Sequence, residues 1–136
     1  MRCVGCGRGW GVDALVDRHT RAHRDLDLAI DADHDAAALG ALARVRDVIE
    51  TDWRPVRVEL AASGARWVDL HPGRFDLDGN GRQPDLDGGF FAYPSGCFVS
   101  GCIAGECLSA DQQLRFREGY ERRDVDRHDL ALLVAL

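Results

Sequence analysis

The sequence predicts an α+β domain, and three observations carry that prediction. Asp25-Leu26-Asp27-Leu28-Ala29-Ile30-Asp31 alternates polar and apolar residues, the period of a strand with one apolar face. Residues 56–60 and 66–71 alternate in the same way on either side of a Ser63-Gly64 turn. Residues 36–48, and the stretch that follows Ser109, instead carry their apolar residues at helical spacing. The chain has 136 residues, enough for a single domain over 1–136 with a real core.

Taken in order, residues 1–6 are short and mostly apolar and read as a strand. Cys3 and Cys6 have the spacing of a zinc knuckle, but Cys97, Cys102 and Cys107 do not complete it, so they read as small buried residues. Gly5, Gly7, Gly9 and Gly11 form a glycine turn around Trp10, and a helix follows from Val12. Strand, glycine turn and helix together let backbone N–H groups meet a phosphate. A basic connection, Arg18 to Arg24, leads into the 25–31 strand, where its arginines stand near any anion held at Asp25 and Asp27. Asp33 or Asp35 caps the next helix, 36–48. Asp76-Leu77-Asp78-Gly79-Asn80-Gly81 has much of a calcium-loop pattern. Its flanking glycines and proline forbid the paired helices, so Asn80-Gly81 reads as a hairpin turn. Residues 90–93, 97–99 and 106–108 read as further strands. Ser109 and Gln112 form a capping box for a helix to about residue 118, stopped by Gly119. A last helix starts at Asp124 or Asp126.

Composition excludes several functions. Net charge is −6 without a basic run, which argues against a nucleic-acid partner. All 17 basic residues are arginine, so no lysine serves as base, nucleophile or phosphate clamp, and phosphate binding falls to arginine. Neither a run of membrane-spanning length nor a leader is evident, which points to a soluble cytoplasmic protein without a membrane partner. Five cysteines, an odd number in a chain of this size, point to reduced thiols.

The chemistry concentrates on the first alternating strand. Residues two apart on a strand share a face, so Asp25 and Asp27 place two carboxylates side by side. Each resists ionising unless a cation lies between them, and hard oxygen ligands suit Mg²⁺. A bare Asp-x-Asp is also the mark of an edge strand with a solvated acidic face. Asp69 on the 66–71 strand becomes a third carboxylate if the two strands are neighbours, and Glu59 is a weaker candidate on its own strand.

Gly9-Trp10-Gly11-Val12-Asp13-Ala14-Leu15, Thr20-Arg21, His23-Arg24-Asp25-Leu26-Asp27-Leu28, Val68-Asp69-Leu70-His71-Pro72, Asp76 with Asp78-Gly79, Ser109-Ala110, Gln113-Leu114, Gly119-Tyr120 and Asp126 with Asp129-Leu130 follow one another in order. This succession resembles the small antibiotic nucleotidyltransferases, the lincosamide and aminoglycoside-2''-type adenylyltransferases of the polymerase-β-like superfold. The resemblance implies a mixed β-sheet with helices packed on one side. It implies that Asp25, Asp27 and Asp69 bind Mg²⁺ with ATP or another nucleoside triphosphate, that Gly9 and Trp10 hold the triphosphate, and that Arg8 and Arg24 stand beside it. It further implies transfer of a nucleoside monophosphate to a hydroxyl of a small antibiotic, with Asp69 ligating metal or taking the hydroxyl proton. The family has a second glycine where this chain has Arg8, which either crowds the phosphate turn or adds positive charge to it. The family also opens with a helix ahead of the first strand, whose absence here would leave core for a homodimer to cover. Two other readings keep the fold: a protein-modifying enzyme of toxin–antitoxin type, and a non-catalytic relative.

Overall fold

The computed structural model describes residues 3–6, 8–43, 48–62, 66–101 and 105–136. Its strands are β1 (Cys3–Cys6), β2 (Asp25–Asp31), β3 (Val48–Trp53), β4 (Arg57–Ala62), β5 (Arg66–Phe75), β6 (Gly81–Pro84), β7 (Phe90–Tyr93), β8 (Phe98–Gly101) and β9 (Gly105–Leu108). Its helices are α1 (Arg8–Val16), α2 (Asp35–Leu42), α3 (Ala110–Arg115) and α4 (Asp124–Val134). The main sheet runs in the order β3-β4-β5-β2-β1-β9-β8, and β6 and β7 extend from the far end of β5. β2 lies parallel to β5, β1 lies parallel to β9, and the other neighbours are antiparallel, so the sheet is mixed.

The alternation of β2 decides how the layers stack. Leu26, Leu28 and Ile30 pack with Val58, Leu60, Val68 and Leu70 beneath Ala38, Leu39 and Leu42 of α2. The same two leucines also meet Ala14 and Leu15 of α1. Both helices therefore cover one face, and fully burying a side chain such as Leu70 contributes roughly 1.5–3 kcal/mol. The opposite face presents Asp25 and Asp27. Further along β2, Ala29 sits there among Phe75, Tyr93, Cys97, Phe98, Leu108 and Phe116.

Several expectations change. α1 begins at Arg8 rather than Val12, so Gly9 and Gly11 are helical rather than part of a turn, Gly5 lies in β1, and Gly7 is outside the described residues. Residue 48 does not end a helix: α2 stops at Leu42, and Val48 opens β3, which among the described residues is an edge strand paired with β4. Neither Asp33 nor Asp35 caps the next helix: α2 opens at Asp35 after His34 with no side-chain cap, and Asp31 instead accepts from the Asp33 N–H ahead of a single 3-10 turn. The Ser63-Gly64 turn lies outside the described residues. Only half of the capping box at Ser109 forms. The serine accepts from Gln112 N–H, but the Gln112 side chain donates to Ala92 O and the Ser109 N–H donates to Cys97 O.

The 76–81 stretch makes the expected hairpin and pairs Phe75 with Gly81, but the turn falls on residues 76–80: Gly81 already opens β6, so Asn80-Gly81 is not itself the turn. Asp76 Oδ1 accepts from the N–H groups of Asp78 and Asn80, and Gly79 takes φ 87°, open to glycine without strain. The same four residue types recur at Asp85-Leu86-Asp87-Gly88. There Asp85 Oδ1 accepts from Asp87 and Gly89 N–H, and Gly88 has φ 83°. One tetrapeptide thus turns the chain twice and folds β5, β6 and β7 into a meander. Cys97 and Cys107 are both buried, and burial pushes the Cys97 thiol up to about 11. The side chains of Cys3 and Cys6, and all of Cys102, lie outside the described residues. Among the described residues no helix is long and apolar enough to cross a membrane.

Candidate active site

Register brings the carboxylates together. Asp27 of β2 lies beside Asp69 of β5, and Asp69 lies beside Glu59 of β4, so three acidic residues form a row across neighbouring strands. Asp25 precedes Asp27 on the same face, and all four line one cleft of about 450 Å³. Asp69 is buried in the middle of the row. That burial, with repulsion from Asp27, Asp25 and Glu59, pushes its carboxyl up to about 6, against an opposing pull from His71. Glu59 is paired with Arg57 at 2.9 Å, and Asp25 stands 3.6 Å from Arg24. The pull of like charges on Asp69 is the physical signature of a place that a cation would relieve.

His71 lies two residues beyond Asp69 on β5, and its Nε2 is 2.8 Å from Asp27 Oδ1. Its Nδ1 meets Gln83 Nε2 at 3.3 Å, and Gln83 Oε1 accepts from Tyr93 O–H at 2.6 Å. Sequence reasoning quoted His71 only as part of a motif and gave Gln83 no role. The signal for His71 was present, because a strand puts it on the face of Asp69. Beside this chain a pocket of about 100 Å³ opens, lined by Ala29, Phe91, Tyr93, Leu108 and Phe116 next to Asp27 and His71.

At the other end the cleft is lined by Gly9, Arg21, His23, Arg24, Arg117 and Arg123. Gly9 is required there, because a Cβ would overlap the His23 ring and the Arg21 guanidinium. Arg21 donates twice to Asp129, at 2.9 Å each, and the buried Arg117 reaches the same carboxylate at 3.2 Å. Arg123 donates to Asp126 through both its N–H and its Nε, each at 3.0 Å. The Arg21 link ties the connection before β2 to α4, whereas Arg117 ties the end of α3 to α4 and Arg123 closes the first turn of α4 itself. Trp10 is not part of the cleft lining: its ring stacks on His19 and leans on His23, centroids 5.3 and 4.6 Å apart. Arg8 opens α1, and its side chain lies outside the described residues.

Under Trp10, Asp13 is fully buried. His23 Nε2 approaches its Oδ2 at 2.6 Å, Thr20 N–H donates to the same oxygen, and the Thr20 hydroxyl donates to Oδ1. Burial pushes this carboxyl up, and the hydrogen bonds from His23 and Thr20 more than offset it, leaving it below its ordinary value. Sequence reasoning missed Asp13, whose partners come from a loop that no periodicity announces.

Among known proteins, the sequence pattern of the aminoglycoside-2''-adenylyltransferase family matches residues 4–133. The chain belongs to that family. Like its relatives, this adenylyltransferase-family member is a nucleotidyltransferase enzyme. It is 31% identical over 131 residues to a lincosamide resistance protein of Staphylococcus haemolyticus, covering 94% of this chain and 81% of the relative. Its fold matches the crystal structure of the lincosamide antibiotic adenylyltransferase LnuA bound to lincomycin with a TM-score of 0.84 at 30% identity, over 96% of this chain and 85% of that one. A crystal structure of ANT(2'')-Ia with adenylyl-2''-tobramycin matches with a TM-score of 0.71 at 16% identity, over 96% and 77%, a likeness of fold.

Proposed function

We propose that this family member is a Mg²⁺-dependent enzyme that transfers a nucleoside monophosphate from ATP, or another nucleoside triphosphate, to a hydroxyl of a small antibiotic. The observation that carries this is the row Asp27–Asp69–Glu59 with Asp25 beside it, lying between an arginine-lined end and an aromatic pocket. Hard carboxylate oxygens crowded enough to raise Asp69 fit Mg²⁺, and Asp25, Asp27 and Asp69 would hold it. Bound there, the ion supplies neutralisation of these carboxylates and polarisation of the reacting oxygens.

The triphosphate belongs at the arginine end. There the α1 N-terminus at Gly9 brings backbone N–H groups, and Arg24 and Arg123 bring charge. The acceptor belongs at the aromatic end. Its hydroxyl oxygen forms a bond to the α-phosphorus, the bond to the β-phosphate oxygen breaks, and pyrophosphate leaves. Asp69 takes the hydroxyl proton. LnuA is described with lincomycin and ANT(2'')-Ia with adenylylated tobramycin. The lining by Phe91, Tyr93, Leu108 and Phe116 favours an acceptor with an apolar group, as in a lincosamide, over a polycationic aminoglycoside.

The test is calorimetric titration of a non-hydrolysable ATP analogue with Mg²⁺ into wild type and Asp25→Ala/Asp27→Ala. Mass-spectrometric detection of adenylylated lincomycin or tobramycin follows, using ATP. Binding that needs Mg²⁺ and disappears in the double variant is expected, with lincomycin the better acceptor. Equal binding by the double variant would overturn the site assignment, and turnover of tobramycin alone would overturn the acceptor class.

A further inference from the structure

Asp27, Asp69 and His71 offer ligand atoms within 4.8 Å of one another, so proximity alone would make His71 a third metal ligand. The hydrogen bonds say otherwise, from a backbone oxygen outward. Val56 O only accepts, and the Gln83 amide atom facing it, at 3.4 Å, must therefore be the nitrogen. This agrees with the other end of the amide, where Gln83 Oε1 takes the Tyr93 hydroxyl hydrogen. The same Gln83 nitrogen faces His71 Nδ1 at 3.3 Å, and since an NH₂ group only donates, Nδ1 carries the lone pair. The ring hydrogen is then on Nε2, pointing at Asp27 Oδ1 2.8 Å away. An imidazole ligates a metal through a bare nitrogen, and the nitrogen that faces the carboxylates here is not bare.

We infer that His71 is a positioning residue that holds the Asp27 carboxylate by hydrogen bonding, with Gln83 and Tyr93 fixing its tautomer, and that it is not a metal ligand. This rests on the reading of Asp27 as a ligand given above. Its physical value is preorganisation. A carboxylate on a strand still turns about its own bonds, and a fixed N–H donor selects one orientation before the ion arrives, as outer-shell partners of metal sites do. The chain of hydrogen bonds is anchored at three places: the Tyr93 hydroxyl on β7, Gln83 on β6, and the accepting Val56 carbonyl just ahead of β4. Gln83 and Tyr93 are both buried. His71, Gln83 and Tyr93 also wall the aromatic pocket, so the group that orients Asp27 is in contact with the space assigned to the acceptor.

Long-range ¹H–¹⁵N NMR of the imidazole reads the tautomer directly. Mg²⁺ calorimetry on wild type, His71→Gln and His71→Leu reads the consequence, with circular dichroism checking that each variant is folded. The expected spectrum is the Nε2–H tautomer, unchanged when Mg²⁺ is added. Mg²⁺ affinity is expected to fall by about tenfold or more in His71→Leu, the usual cost of losing an outer-shell partner. His71→Gln, whose amide supplies a donor near the place of Nε2, is expected to stay near wild type. Gln83→Leu, which leaves His71 in place, is expected to give mixed tautomers and a smaller loss. An Nδ1–H tautomer, loss of the Nε2–H signal on adding Mg²⁺, or a folded His71→Leu that binds Mg²⁺ as wild type does would each overturn the inference. A wild type that binds no Mg²⁺ would instead overturn the reading of Asp27 beneath it.

Discussion

Two carboxylate–imidazole pairs among the described residues stand in contrast. In the first, Asp13 and His23 meet at 2.6 Å with side chains 0% and 2% exposed. Thr20 completes the set, and each hydrogen-bonding demand is met locally. In the second, Asp27 and His71 meet at 2.8 Å, but with Asp69, Asp25 and Glu59 in the same cleft. The first pair is balanced and buried, with His23 only bordering the cleft; the second has a surplus of negative charge beside open space. The two carboxyls that report this are shifted in opposite directions, Asp13 below its ordinary value and Asp69 above it. A short Asp–His contact therefore does not mark a site by itself. Unbalanced charge in a cleft does.

Substitutions sharpen the contrast. Asp13→Ala leaves His23 and Thr20 groups buried without their acceptor, and about 3–5 kcal/mol of unfolding free energy is expected to go, read by urea denaturation. Asp27→Asn should leave stability nearly intact while transfer, followed by pyrophosphate release, falls by about a hundredfold or more, the scale of losing a transition-state charge partner. The pH dependence of the metal-free protein separates Asp13 from Asp69, the neighbour of the second pair, by sign. Asp69 has a folded value of about 6 against an ordinary 3.8, so its stabilising contribution is full below the lower value and lost as pH rises through the upper one. Asp13 has a folded value below 3.8, so its contribution is present above 3.8 and lost as pH falls through the folded value. Asp69→Asn should accordingly flatten the decline between about pH 4 and 6 in a series of urea midpoints, and leave the acid limb in place. The smallest effect is expected at Phe116→Ala, which trims the aromatic pocket. The acceptor KM should rise roughly tenfold, about 1.4 kcal/mol, with nucleotide binding unchanged.

These regions also differ in how far the amino-acid sequence reveals them. β2 is legible because its two faces have different solvents, leucine core on one side and a cleft on the other, so alternation is strict. Asp69 could be named as a third carboxylate only on the condition that two strands are neighbours, and β2 does lie beside β5. β3 is hidden because Val48 continues the apolar period of the preceding helix, and an edge strand has one partner to shape its composition. The early start of α1 was hidden because a glycine at position 9, which leaves room for His23 and Arg21, reads locally as a turn. The Asp13 network and the Arg21–Asp129 bridge, which spans 108 positions, leave no local period to read. Gln83 was illegible for another reason: its role exists only through Val56 O and Tyr93, brought together by the meander.

The most direct measurement compares Asp27→Asn and Asp13→Asn side by side, determining unfolding free energy by urea and nucleotidyl transfer per folded molecule. Asp27→Asn is expected to be stable and inactive, and Asp13→Asn destabilised yet active in whatever fraction remains folded. An active Asp27→Asn, or an Asp13→Asn that is fully stable and inactive, would mean that the roles of the two pairs have been assigned the wrong way round.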